Sequence, residues 1–200
     1  MDVNELFARP EDPSLLSPEE RIVLATLDCI GEFGLEGATV RAIAAKAELN
    51  PASINYYFRS KERLVEEALR GAWSHVATDI DRIIAGGGDA RSRVGLATSF
   101  LVEGSWRHPR LIRAIIVEHP ALRLEAAAFL RDIFARLREL GSSGRDEGIG
   151  AVLLIAFAVL LGFAPDAVSL VTRLDLADSA ARAALAEELA DLLFGPFPGI

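Results

Sequence analysis

Cysteine is nearly absent from this chain of 200 residues: Cys29 stands alone, which excludes an internal disulfide. Histidine is scarce as well, and His75, His108 and His119 lie too far apart in sequence to suggest metal-ligand spacing, so no structural metal or other cofactor is expected. With 51% apolar residues the chain can bury a core without such staples, and a reducing, cytoplasmic setting fits its cysteine usage. Long apolar runs are also missing. The apolar, uncharged segment from Gly148 to Ala164 has 17 residues where a bilayer crossing needs roughly 20, and it reads as a buried helix with no membrane role. Strand-like alternation is lacking too, which excludes a sheet as the organising element. The first residues carry Asp2, Glu5, Glu11 and Asp12 against Arg9 alone, so 1–16 read as a mobile acidic arm and not as a secretory or transit peptide.

Helical periodicity punctuated by capping residues is what the sequence does have, and the fold class it predicts is all-α. Ser17-Pro18-Glu19-Glu20 forms a capping box with proline in the first turn, and Ile22, Leu27, Ile30 and Phe33 continue an apolar face as far as Gly34. Thr39 caps a short second helix to about Ala47, Asn50-Pro51 opens a third from Pro51 to Phe58, and Ser60 caps a long fourth from Lys61 to about Ala85. Further helices are expected at 90–106, 109–118, 120–140, 147–163, 165–173 and 178–194.

Residues 39–61, TVRAIAAKAELNPASINYYFRSK, place two short capped helices on either side of a tight turn, the arrangement of a helix-turn-helix. Ile54 and Phe58 are four apart and should face inward with Ile43, Ala44 and Leu49, leaving Ala52, Ser53, Asn55, Tyr56 and Tyr57 outward. That outward set suits DNA. Asparagine pairs with two atoms of an adenine edge, hydroxyls reach phosphates or base acceptors, and the Ala52 methyl can meet a thymine methyl. Lys61 opens the next helix, where its charge and the free N–H groups of the first turn favour a phosphate. The net charge of −8 is no obstacle, because within 39–63 five basic residues stand against only Glu48 and Glu62.

From 20 to 64 the chain resembles the TetR family of bacterial regulators. The likeness is carried by EFGLEGATV followed by RAIAAKAELNPASINYYFRSKERL, with its Thr-x-Arg-x-Ile-Ala, turn, short helix, aromatic pair, Phe and Ser-Lys-Glu. The resemblance implies a homodimer with three DNA-binding helices, a linking fourth helix and a divergent effector domain. It also implies phosphate contacts at Thr39, Tyr56, Tyr57 and Lys61, and base-reading positions at Arg41, Pro51, Ala52, Ser53 and Asn55. Two residues depart from the pattern: Glu48 stands where glycine is usual, and Asn55 where an aromatic is commoner. A left-handed backbone is therefore expected at Glu48.

Three segments follow: the arm at 1–16, a DNA-binding domain at 17–60, and an effector-binding and dimerisation domain at 61–200. The helices at 147–163 and 178–194 are the expected dimer interface, the first through small residues such as Gly148, Gly150 and Ala151 beside Leu154 and Ile155, the second through Leu185, Leu189, Leu192 and Leu193 on one side. An effector pocket is expected to draw on Trp73, Phe100, Trp106, Ile116, Phe129, Phe134 and Phe157, with Glu118 and His119 as polar anchors, which suits a small apolar molecule. The sequence offers no nucleophile–base pair, metal cluster or phosphate loop, so it does not read as an enzyme. The reading that results is a repressor that binds a palindromic operator as a homodimer and is released by a ligand. An all-α carrier bearing an incidental helix-turn-helix is the rival, and binding to its own promoter separates the two.

Overall fold

A computed structural model describes residues 16–140 and 165–195, and those residues form an all-α fold without strands. Helix α1 (Pro18–Gly37) starts at the expected capping box: the Glu20 N–H donates to Ser17 Oγ at 3.2 Å and the Ser17 N–H to Glu20 Oε2 at 2.8 Å. It does not stop at Gly34. The backbone turns there to φ 77°, ψ 175°, and a further turn runs on to Gly37. This kink leaves Phe33 57% exposed, outside the face made by Ile22, Ala25, Cys29 and Ile30, with Lys46 Nζ 6.0 Å from its ring centre.

Helices α2 (Val40–Lys46) and α3 (Pro51–Phe58) are capped by Thr39, whose Oγ1 accepts from the Ala42 N–H, and by Asn50, whose Oδ1 accepts from the Ala52 N–H at 2.9 Å. Between them Leu49 N–H donates to the Ala44 carbonyl and Glu48 N–H to the Ala45 carbonyl, the paired bonds of a Schellman motif. Glu48 occupies its left-handed position at φ 57°. Helix α4 (Lys61–Ala85), capped by Ser60, has 25 residues and so spans roughly 37 Å at 1.5 Å per residue.

Beyond Gly86 come α5 (Ala90–Arg107), α6 (Pro109–Arg113), α7 (Pro120–Leu140), α8 (Pro165–Thr172) and α9 (Ser179–Phe194). The single helix expected at 109–118 is α6 followed by a π-helical turn, Ala114–Glu118, which ends at extended His119 because Pro120 disfavours helical backbone in the residue before it. The helix expected at 147–163 lies outside the described residues. No helix among those described is long and apolar enough to cross a membrane.

Three apolar clusters hold the helices together. The first joins Ile22, Ile30, Ile43, Ile54 and Phe58 of α1–α3 to Leu64 and Leu69 of α4, and also to Ala114, Ile115, Leu122 and Ala126 far along the chain. The second gathers Ile80, Ile83, Phe100, Phe134, Leu193 and Phe194 from α4, α5, α7 and α9. A third sets Leu185 and Ala186 of α9 on Val102 of α5. Helix α9 thus turns Leu185 and Leu193 into its own subunit, with Leu189 partly buried, while Leu192 stays 61% exposed. The four leucines do not share one side, because neighbours in a helix point about 100° apart and Leu192 falls off the stripe that Leu193 completes. Arg182, 7% exposed, ties α9 to α5: Nε and Nη2 reach Glu103 at 2.7 and 2.9 Å, Nη1 reaches the Leu176 and Ala177 carbonyls, and the guanidinium lies 5.2 Å from the Trp106 ring centre.

Candidate functional site

Helix α3 is anchored by Ile54 and Phe58, which are 0% and 3% exposed, and this fixes which residues it shows to solvent. Pro51, Ala52, Asn55, Tyr56 and Tyr57 are exposed and Ser53 is half-buried. Tyr56 is the most open at 81%, its ring edge-on to Tyr57 at 5.0 Å, while Tyr57 also leans toward Phe58 at 6.4 Å between ring centres. Thr39 and Arg41 are exposed on α2 and its cap. Lys61 turns the other way: it is half-buried, and its Nζ donates to the Leu35 carbonyl of α1 at 3.4 Å. All the sequence-selected positions therefore stand open or partly open, Lys61 at the start of α4 and the others on α2, α3 and their caps, held by a packed three-helix unit.

The unit is joined to the rest of the molecule by more than α4. Just before the kink at Gly34, Arg110 of α6 donates to the carbonyls of Gly31 and Glu32, the first at 3.0 Å. Lys46 of α2 pairs with the Glu32 carboxylate beside them, a contact that pushes its ammonium above the usual lysine range.

Next to this junction lies a cavity of about 1160 Å³, walled by Leu27 of α1, Trp73 and Val76 of α4, Phe100 of α5, and Leu111 and Ile115 of α6 and the π turn. Its volume is ample for a drug-sized molecule. The charged residues on its edge include Glu32 with Lys46 and Asp79 with Arg82, both already ion-paired. The Trp73 indole N–H is buried and has no partner among the described residues, an unmet donor on the cavity wall.

Of the residues the sequence suggested for an effector, Trp73, Phe100 and Ile116 line this cavity. The others lie elsewhere. Phe129 sits behind Trp73, its ring 4.5 Å away, and Trp106 lies under Arg182. Phe134 packs on Phe194 in the second cluster, and Glu118 pairs with Arg113 at 2.6 Å on the surface. His119 is half-buried, with Nδ1 lacking a partner among the described residues, and Phe157 lies outside them. Sequence reasoning overlooked Leu27, Leu111 and Ile115. Their apolar spacing fits a core face equally well, so only their position around the gap distinguishes them.

Comparison with known proteins follows the same lines. Residues 22–68 match the family described as bacterial regulatory proteins, tetR family. Uncharacterised HTH-type transcriptional regulators of Mycobacterium tuberculosis and Mycobacterium bovis are 32% identical over 124 residues, which is 60% of this chain but only 59% of theirs. The HTH-type transcriptional repressor KstR of Mycolicibacterium smegmatis is 29% identical over 96 residues, 48% of this chain and 47% of its own. Among solved structures, a transcriptional regulator from Streptomyces coelicolor superposes with a TM-score of 0.63 at 23% identity, covering 90% of this chain and 99% of that one. The regulator FadR from Bacillus subtilis, solved with stearoyl-CoA, gives 0.63 at 16% identity over 90% and 98%. At those identities the likeness is one of fold.

Proposed function

We propose that this chain, a member of the tetR family of bacterial regulatory proteins, is a repressor that binds a palindromic operator as a homodimer and lets go when a small, mostly apolar molecule fills the cavity. The observation that carries the DNA half is the outward face of α3, where Asn55 and Tyr56 stand free above the buried Ile54 and Phe58. A helix so presented enters the major groove, and Pro51, Ala52, Ser53 and Asn55, with Arg41 beside them, are the base readers. Thr39, Tyr56, Tyr57 and Lys61 are the phosphate contacts. The DNA-binding domain is 17–60 and the effector and dimerisation domain 61–200. Dimerisation uses the outer surface of α9, where Leu192 is exposed, together with the preceding segment at 147–163.

Release is a shift of population between head spacings. The ligand has to favour the spacing that no longer fits two successive major grooves. Helix α4 runs from the head to the second cluster and is the lever. Linkage then demands reciprocity: couplings of about 1 to 3 kcal/mol change each affinity roughly 5- to 150-fold in both directions.

The test has two stages. Binding of the purified protein to DNA upstream of its own coding sequence is measured first, with footprinting to show a two-fold symmetric site. Molecules that raise the melting temperature are then titrated with and without that DNA. Loss of the first result returns the protein to the carrier reading. Ligands that bind equally well in both titrations remove the inducer mechanism while leaving the repressor.

A further inference from the structure

Arg59 joins α3 to α4 in an unusual conformation. Its φ of 65° and ψ of −32°, with the Ser60 N–H donating to the Phe58 carbonyl at 2.8 Å across it, make it the central residue of a classic γ-turn. Such turns are rare and strained, and the left-handed φ favours glycine, with asparagine or aspartate next. The turn itself is needed, since it delivers Ser60 to the cap of α4. An arginine in it is not.

Nor does the arginine side chain do anything for the fold. The Arg59 side chain is exposed and makes no hydrogen bond or ion pair among the described residues, which is also true of the side chains of Arg41 and Arg63. Along the middle of the chain the pattern is the reverse. Every arginine from Arg70 to Arg123 is engaged, with Glu125, Asp79, Asp191, the Ile84 carbonyl, Glu103, the Gly31 carbonyl, Glu118 and the Val117 carbonyl in turn. In a chain of net charge −8, partners for cations are plentiful. Of the arginines without them, Arg41, Arg59 and Arg63 lie close together on α2, the end of α3 and the start of α4, and Arg59 follows exposed Tyr56 by three residues.

We propose that Arg59 is a phosphate contact that extends the DNA interface past the C-terminal end of α3, and that its strained backbone is tolerated for that charge. This assignment rests on the DNA-binding reading above. It predicts that Arg59→Gly separates two properties that normally fall together, because the variant relaxes the turn while losing the contact.

A short random-sequence duplex serves as the probe, with affinity measured by fluorescence anisotropy over a range of salt concentrations. Arg59→Gly and Arg59→Gln should each flatten the plot of log K against log salt by roughly 0.9 for each head engaged. Arg59→Lys should keep the parent slope. The melting temperature of Arg59→Gly should equal or exceed that of the parent. Arg173 supplies the control, being an exposed arginine at φ 61° on the connection after α8. Arg173→Gly should relax its backbone and leave DNA binding alone. A parent slope in Arg59→Gly and Arg59→Gln, or an equal flattening in Arg173→Gly, overturns the assignment. A parent protein that binds no duplex overturns the DNA-binding reading itself, and the assignment with it.

Discussion

Replacing Glu48 by glycine should leave the protein as stable as it is or make it slightly more so, although it removes a side chain from the turn of the helix-turn-helix. Glu48 sits at φ 57° in the left-handed position of the Schellman motif that closes α2, and its carboxylate is exposed with no partner among the described residues. A non-glycine residue in that region costs about 1 to 2 kcal/mol through the clash of its Cβ with the following carbonyl. Glycine removes that cost but gives the unfolded chain more freedom, which takes back about 0.4 to 1 kcal/mol. The net gain lies between about zero and 1.5 kcal/mol, or at most about 6 °C in melting temperature for a chain of this size. Glu48→Ala is the control: it deletes the same carboxylate and keeps the Cβ, so it should stay within about 0.5 kcal/mol of the parent. Urea unfolding at fixed protein concentration measures both, since any dimerisation would couple stability to concentration. A glycine variant that is less stable than the parent by more than about 1 kcal/mol would refute the strain argument, because no interaction of Glu48 is available to explain the loss.

Arg182→Met should destabilise by less than the about 3 to 5 kcal/mol of an uncompensated buried charge, because Glu103 keeps Arg107 at 2.8 Å, and the same group sets an acid limit. Arg182, helped by Arg107, holds the Glu103 carboxyl below its ordinary value of about 4.5, so its contribution is complete above that pH and fades as pH falls through the lower folded value. Thermal melts from neutral pH downward should therefore fall more steeply for the parent than for Glu103→Gln, and parallel curves would remove the linkage. Asn55→Ala should change which operator is preferred in a selection from random sequences. Lys61→Ala should instead flatten the salt dependence by roughly 0.9 per head, and an unchanged slope would leave Lys61 with the Leu35 carbonyl as its only role. Leu192→Arg should give a monomer in sedimentation that still melts cooperatively, since Leu192 is exposed within its own subunit. A variant that remains dimeric would move the interface elsewhere.

Caps were the most legible part of this fold. Ser17, Thr39, Asn50 and Ser60 each start the helix that the spacing of serine, threonine, asparagine and proline predicts, while the positive φ of Glu48 is implied by the family resemblance, in which glycine is usual there. These are local rules, settled within about five residues. What the sequence hides is whatever depends on partners far along the chain. Nothing in the spacing around Ala114, Ile115, Leu122 or Ala126 says that they complete the core of α1–α3 and not that of their own neighbourhood. Arg110 is invisible for the same reason, because its function depends on two carbonyls of α1 just before its kink.

That hidden packing bears on how a ligand would reach the DNA. A boundary drawn at residue 60 cuts the chain between α3 and α4, yet the first apolar cluster crosses it without a break. The cavity wall includes Leu27 and Ile115, which belong to that shared core, so a bound molecule would touch the head's own packing as well as the lever behind it. Two routes then run from cavity to head. Helix α4 is one, continuous from Lys61 to Ala85. The contact of Arg110 with the Gly31 and Glu32 carbonyls is the second, and Leu111 beside it lines the cavity. A ligand can shift an equilibrium only by its differential affinity for two states, so a ligand acting through this contact would have to bind differently with it made and with it broken. On the proposed inducer mechanism a ligand in the cavity would act on the head through both α4 and α6.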